Sequence, residues 1–157
     1  MTIVVPFDGC ELSQTALVRA TMLGEAFDER VLALTIVPDN DAEYARERDW
    51  LGQGEKFDRQ TVVGRLREHV VELAPRAEFR DETVGRYAST GTIATKLRRA
   101  AKDAEASLVV IGSDNAGHMV SSIHSVGSTV ASDEAFDVLI VRRSIPTDAA
   151  PEETSGW

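Results

Sequence analysis

Apolar residues in this chain follow two rhythms. Thr2–Phe7, Val31–Val37, Ser107–Ile111 and Asp137–Val141 are short, nearly continuous apolar runs rich in β-branched residues. Such runs mark strands covered on both faces, as in a parallel sheet. Between them, apolar positions recur at helical spacing: Leu12, Ala16, Leu17, Ala20, Leu23 and Phe27, and then Phe57, Val62, Val63, Leu66, Val70 and Leu73, ended before Pro75. Ile93, Leu97, Ala100 and Ala101 give a third helix over Thr92–Ala104, and Gly127–Ala135 reads as a last one. A strand over Glu78–Gly85 is expected although β-branched residues are scarce there. Residues 38–55 are polar and charged, and read as a long mobile connection with a helical turn around Tyr44–Trp50.

This alternation predicts an α/β fold: one doubly wound, Rossmann-like domain with a five-stranded parallel sheet flanked by helices. The domain spans residues 1–143. Residues 144–157, with two prolines and several small or acidic residues, read as a disordered tail. A length of 157 residues suits one such domain, and 43% apolar content suffices for its core.

Charge narrows the function. Seventeen basic against 26 acidic residues leave a net charge of −9, which argues against a nucleic-acid or anionic-membrane partner. Only three of the basic residues are lysines, Lys56, Lys96 and Lys102. An acidic, lysine-poor surface has two readings: an ordinary acidic cytosolic protein, or one adapted to concentrated salt, where screening relieves self-repulsion. Melting at low and at molar salt separates the two. The longest apolar stretches are strand-length, and the first begins almost at Met1 without a charged leader, so a cytoplasmic location is expected. Cys10 is the single cysteine, which excludes an intramolecular disulfide and a cysteine-based zinc site.

Ligands of open α/β sheets bind beyond the carboxyl ends of the strands, where the strand order reverses. The turns after Phe7, Val37, Gly85 and Ile111 are therefore the candidate positions. Asp8 on the first turn has two readings: an acceptor for a base or ribose, and support for the turn and the following helix. Gly112-Ser-Asp-Asn-Ala-Gly117 follows the clearest strand, and Gly127-Ser128-Thr129 opens a helix ten residues further on. Glycines there let a backbone approach phosphates, and amides at a helix N-terminus hold negative charge. The alternative is that they only turn the chain.

Other signatures fail. His118 and Met119 stand where a P-loop needs Lys and Ser/Thr, and no G-x-G-x-x-G follows the first strand. No G-x-S-x-G elbow is present. His118 and His124, six apart, do not form a zinc pair, and His69 stands alone. Cys10 lacks the basic neighbours of a catalytic thiolate. No catalytic residue and no metal ligand is assigned.

Three stretches together resemble the universal stress protein family: Val4-Val-Pro-Phe-Asp-Gly-Cys-Glu-Leu-Ser13 with Ala16-Leu17, Leu108-Val-Val-Ile-Gly-Ser113, and Gly127-Ser128 before Val138-Leu-Ile-Val-Arg142. The resemblance covers roughly residues 1–143, and Gly117-x9-Gly127-Ser128 fits the second half of the family's G-x2-G-x9-G-(S/T) pattern. It implies the adenine-nucleotide-α-hydrolase-like form of the fold and a regulatory protein of the stress response that binds ATP, with Mg²⁺, without rapid turnover. Pro6 and Asp8 would face the base or ribose and Ile36 would pack on adenine. Gly112, Gly117, Gly127, Ser128 and Thr129 would line the phosphates. It also implies a homodimer paired through the last strand, residues 138–141. The chain departs from the pattern in a four-residue first gap, in the absence of Lys and Arg from Ser113 to Val141, and in Cys10 where Ser is usual. Two alternatives remain: a dimeric stress protein of the same fold that has lost ATP binding and, more remotely, an adenylating enzyme.

Overall fold

The computed structural model describes residues 1–112 and 136–145. Five strands form one parallel sheet: β1 (Thr2–Pro6), β2 (Arg30–Pro38), β3 (Glu78–Val84), β4 (Ala106–Gly112) and β5 (Asp137–Val141). Their order is β3-β2-β1-β4-β5, so the chain builds outward from β1 in one direction and then resumes on its other side. The helices among the described residues are α1 (Glu11–Phe27), α2 (Ala42–Glu47), α3 (Arg59–Leu73) and α4 (Thr90–Asp103). The expected doubly wound α/β architecture is the one the chain adopts.

Alternation along the central strands divides the core. Ile3 and Val5 of β1, Phe7 just beyond it, and Val31, Ala33 and Val37 of β2 pack with Leu12, Ala16 and Leu17 of α1 and Val62, Leu66 and Val70 of α3. Val4, Leu32, Leu34 and Ile36 point the other way and pack with Ala94, Leu97 and Ala101 of α4. Both faces of β1 and β2 are therefore apolar, as their continuous runs require. Each buried Leu, Ile or Val side chain contributes about 1.5–3 kcal/mol through the surface it removes from water.

The two edges differ. β3 carries charge at Glu78, Arg80, Asp81 and Glu82, and Asp81, Glu82 and Glu78 pair with Arg59, Lys96 and Arg30. Its scarcity of β-branched residues reflects this half-covered edge. β5 is the opposite edge, and among the described residues its only strand partner is β4. Beyond β5 the chain turns back across α1, where the Ile145 amide donates to the hydroxyl of the fully buried Thr15 at 3.0 Å.

The connection 38–55 departs from expectation. It is packed rather than loose, with a helix over Ala42–Glu47 and with Trp50 and Leu51 only 4% exposed. Asp41 caps α2 by accepting from the Tyr44 amide at 3.0 Å. Arg65 of α3 forms two 2.9 Å bonds to the Glu55 carboxylate and donates to the Trp50 carbonyl at 3.0 Å. The charged composition of this stretch thus includes the ion pair that fastens it.

Candidate functional site

The strand order reverses at β1, so the carboxyl ends of β1 and β4 are where a ligand crevice is expected in a sheet of this kind. On the β1 side it is bounded by Phe7–Cys10, the turn that leads into α1. Each carbonyl of this turn has its own donor. Thr35 Oγ1 donates to Phe7 O at 2.6 Å, Trp50 Nε1 to Asp8 O at 2.7 Å, and Gln14 Nε2 to Gly9 O at 2.8 Å. Cys10 O accepts from the Ser13 hydroxyl at 2.9 Å and from the Gln14 amide at 2.9 Å. Ser13 Oγ in turn accepts from the Gly9 amide at 3.1 Å. The Phe7 amide extends the ladder to Leu34 O at 2.8 Å.

A backbone held at so many points is fixed before any ligand arrives. Gly9 allows it: φ of +87° is left-handed and carries no Cβ penalty there. Trp50 and His69 flank this glycine, and His69 also stands edge-on to Phe7 with centroids 5.3 Å apart.

Asp8 is half-buried at the tip of the turn, and its Oδ1 accepts from the Cys10 amide at 3.0 Å. That bond is the supporting role foreseen for an Asp here. Pro6, half-buried, and Ile36, 7% exposed, share the α4 side of the sheet by the alternation that places Val4 and Leu34 there. Pro6 pairs with Leu34, so Ile36 lies two residues further along β2, level with the start of the turn. The three residues expected at a base or ribose are thus gathered at one end of the sheet. Ile36 also packs in the core with Val84 and Ala94, so only its edge is open to a ligand.

Gly112 ends β4 on the other side of the crevice. A Cβ there would lie 2.5 Å from the carbonyl carbon and oxygen of Leu12 and 2.7 Å from the Ser13 amide nitrogen. Its missing side chain lets the first turn of α1 close onto the end of β4. Gly117, Gly127, Ser128 and Thr129, the helix expected over 127–135, and the tail beyond residue 145 lie outside the described residues.

Cys10 occupies the N-cap of α1 without a side-chain cap bond. Removal of its thiol from water, followed by the nearby Asp8 charge and hydrogen bond, pushes the thiol up to about 11. It is a thiol, not a thiolate, at neutral pH. Among the described residues no group of three His, Cys, Asp or Glu side chains is placed to hold a metal ion. No helix among them is long and apolar enough to cross a membrane.

Thr35 and Trp50, which hold the turn, are not legible from spacing. A threonine in an otherwise apolar strand and a lone tryptophan in a charged stretch are the signals that point to them, because a buried polar atom needs a partner.

The fold is that of a doubly wound α/β protein. The profile of the universal stress protein family matches residues 1–142, and the chain belongs to that family. A universal stress protein in complex with cAMP is similar over 90% of this chain and 96% of its own, at 20% identity and a TM-score of 0.56. The universal stress protein UspA from Lactobacillus plantarum matches over 90% and 97%, at 20% identity and a TM-score of 0.58. A third, from Archaeoglobus fulgidus in complex with dAMP, matches over 90% and 96%, at 16% identity and a TM-score of 0.50. Comparison with curated proteins returns no match.

Proposed function

We propose that this chain is a regulatory protein of the stress response that binds an adenine nucleotide, ATP with Mg²⁺, in the crevice between β1 and β4 and does not turn it over rapidly. The observation that carries the reading is the fixed Phe7–Cys10 turn at the reversal of strand order, with Asp8 at its tip and Pro6 and Ile36 beside it. Family membership supports it, as do the cAMP and dAMP complexes of two proteins with this fold. Asp8 and Pro6 take the ribose and base, and Ile36 offers an apolar edge to adenine. Gly112, Gly117, Gly127, Ser128 and Thr129 serve the phosphates through backbone amides and hydroxyls, and a divalent cation offsets charge that no Lys or Arg from residue 113 to 141 can meet.

Calorimetry with ATP, with and without Mg²⁺, tests this: saturable heat that weakens when Mg²⁺ is removed is expected. No saturation up to millimolar ligand means that the site has lost the nucleotide.

A second part of the proposal is assembly. β5 is an edge strand carrying a partly exposed Leu139, a surface suited to pairing with the same strand of a second copy around a two-fold axis. Light scattering at micromolar concentration should give the mass of a homodimer, and a monomeric mass removes this part. The interaction-only reading stands if the dimer is found and the nucleotide is not.

A further inference from the structure

Trp50 reaches the crevice from outside the elements that build it. It lies 42 residues beyond Asp8, in a stretch whose neighbours are mostly charged, yet it is only 4% exposed. Its own position is fixed independently of β1. The Trp50 amide donates to Ala45 O at 2.8 Å, closing the end of α2, and its carbonyl accepts from Arg65 at 3.0 Å. Arg65 is held by Glu55 through two bonds, and Glu55 O accepts from Arg46 at 2.8 Å. The Tyr44 ring stands 5.6 Å away and carries the Arg48 guanidinium on its face, 3.4 Å from the centroid. This arrangement leaves the indole one polar atom to place, and Nε1 donates it to the Asp8 carbonyl at 2.7 Å.

Filling the space would not by itself require an indole. Phenylalanine would fill most of the same space but could not hold the carbonyl end of the Asp8–Gly9 peptide, whose amide end is already tied to the Ser13 hydroxyl. Trp50 and His69 also flank Gly9, so the left-handed residue after Asp8 rests against two rings. An acceptor held in one orientation before binding loses less entropy when the ligand arrives.

We infer that Trp50 is a positioning residue for Asp8: residues 41–55 form a strap whose indole N–H orients the acceptor that meets the ribose or base. The inference rests on the adenine-nucleotide reading and deepens it.

The test is calorimetry on the full chain with ATP–Mg²⁺ and with adenosine. Trp50→Phe keeps an aromatic ring and removes the donor. Its affinity for both ligands should fall about tenfold, the scale expected for one hydrogen bond lost from an acceptor that is then left unmet. In an Asp8→Asn background the same substitution should have little further effect, because the group it positions is already altered. Equal binding by wild type and Trp50→Phe overturns the inference while leaving the nucleotide reading intact. A loss that simply adds to that of Asp8→Asn overturns it too, since general damage to the domain behaves that way. Failure of wild type to bind either ligand removes the nucleotide reading and this inference with it. If Trp50→Phe does not fold, Arg65→Gln, on the exposed side of the strap, gives the same test: a smaller loss in the same direction supports the inference, and unchanged affinity overturns it.

Discussion

The hydroxyl of Thr35, in β2, donates to the carbonyl of Phe7 at the end of β1 at 2.6 Å. Both residues are buried, so neither group has water as an alternative partner. Thr35→Val keeps the shape of the side chain and removes the donor. It should lower stability by about 1–3 kcal/mol, the cost of leaving a buried carbonyl unmet. Thr35→Ser should lose less, because it retains the hydroxyl. Urea unfolding of the three proteins checks the order.

Gly112 predicts a second loss of a different kind. An added methyl would stand 2.5 Å from the Leu12 backbone, and backbone cannot rotate away as a side-chain tip can. Gly112→Ala should destabilise the domain by about 1–3 kcal/mol, the range for forcing extra volume into packed structure. The same α1 turn carries Ser13 and Gln14, which bond the Gly9 and Cys10 backbone, so ligand affinity should fall with stability. Unchanged melting would mean that α1 shifts freely on β4.

Cys10→Ser should behave oppositely. The thiol makes no cap bond at the N-cap of α1, where serine is among the preferred residues. The substitution should raise stability by about 0.5–1 kcal/mol and leave ligand affinity within a factor of about two. Thermal melting and calorimetry measure the two. A tenfold loss of affinity would contradict a purely structural place for Cys10.

Acid should weaken the bond that fastens the strap to α3. The hydrogen bonds from Arg65, then the Gly52 amide, hold the Glu55 carboxyl down at about 2, against an ordinary value of 4.5. A carboxyl with a depressed folded-state value contributes stability that is fully present above its unfolded value. That contribution fades as pH falls from about 4.5 towards about 2. Trp50 emission, recorded in a Trp157→Phe background, should change over that window. In Glu55→Gln the pH-dependent step should be absent. A step that persists there would place its origin elsewhere.

Much of the fold is legible in the chain because its central strands are covered on both sides. β1, β2 and β4 announce themselves as unbroken apolar runs, and α1 and α3 as apolar stripes. β3 is harder to read, since an edge strand carries Arg80, Asp81 and Glu82 where a central strand carries valine. The 41–55 stretch was hardest. Its apolar anchors, Ala45, Trp50 and Leu51, follow neither strand nor helix spacing, and the bonds that hold it run to residues 8 and 65. Of the candidate site, Pro6, Asp8, Ile36 and Gly112 are singled out by position or resemblance. The donors that immobilise the turn are not, because hydrogen bonds between distant segments leave no periodic trace.

The placement of β1 also has a consequence for biosynthesis. Thr2 pairs with Arg30 on one side and with Ala106 on the other. A chain emerging from the ribosome can assemble β1, β2 and β3 with their helices once residue 84 has appeared. The far side of β1 then waits, an open apolar edge, until β4 follows. Closing it brings together residues more than a hundred positions apart, the type of long-range contact that slows folding and leaves intermediates prone to aggregate. The growing chain is therefore most in need of chaperone cover between the synthesis of β3 and that of β4.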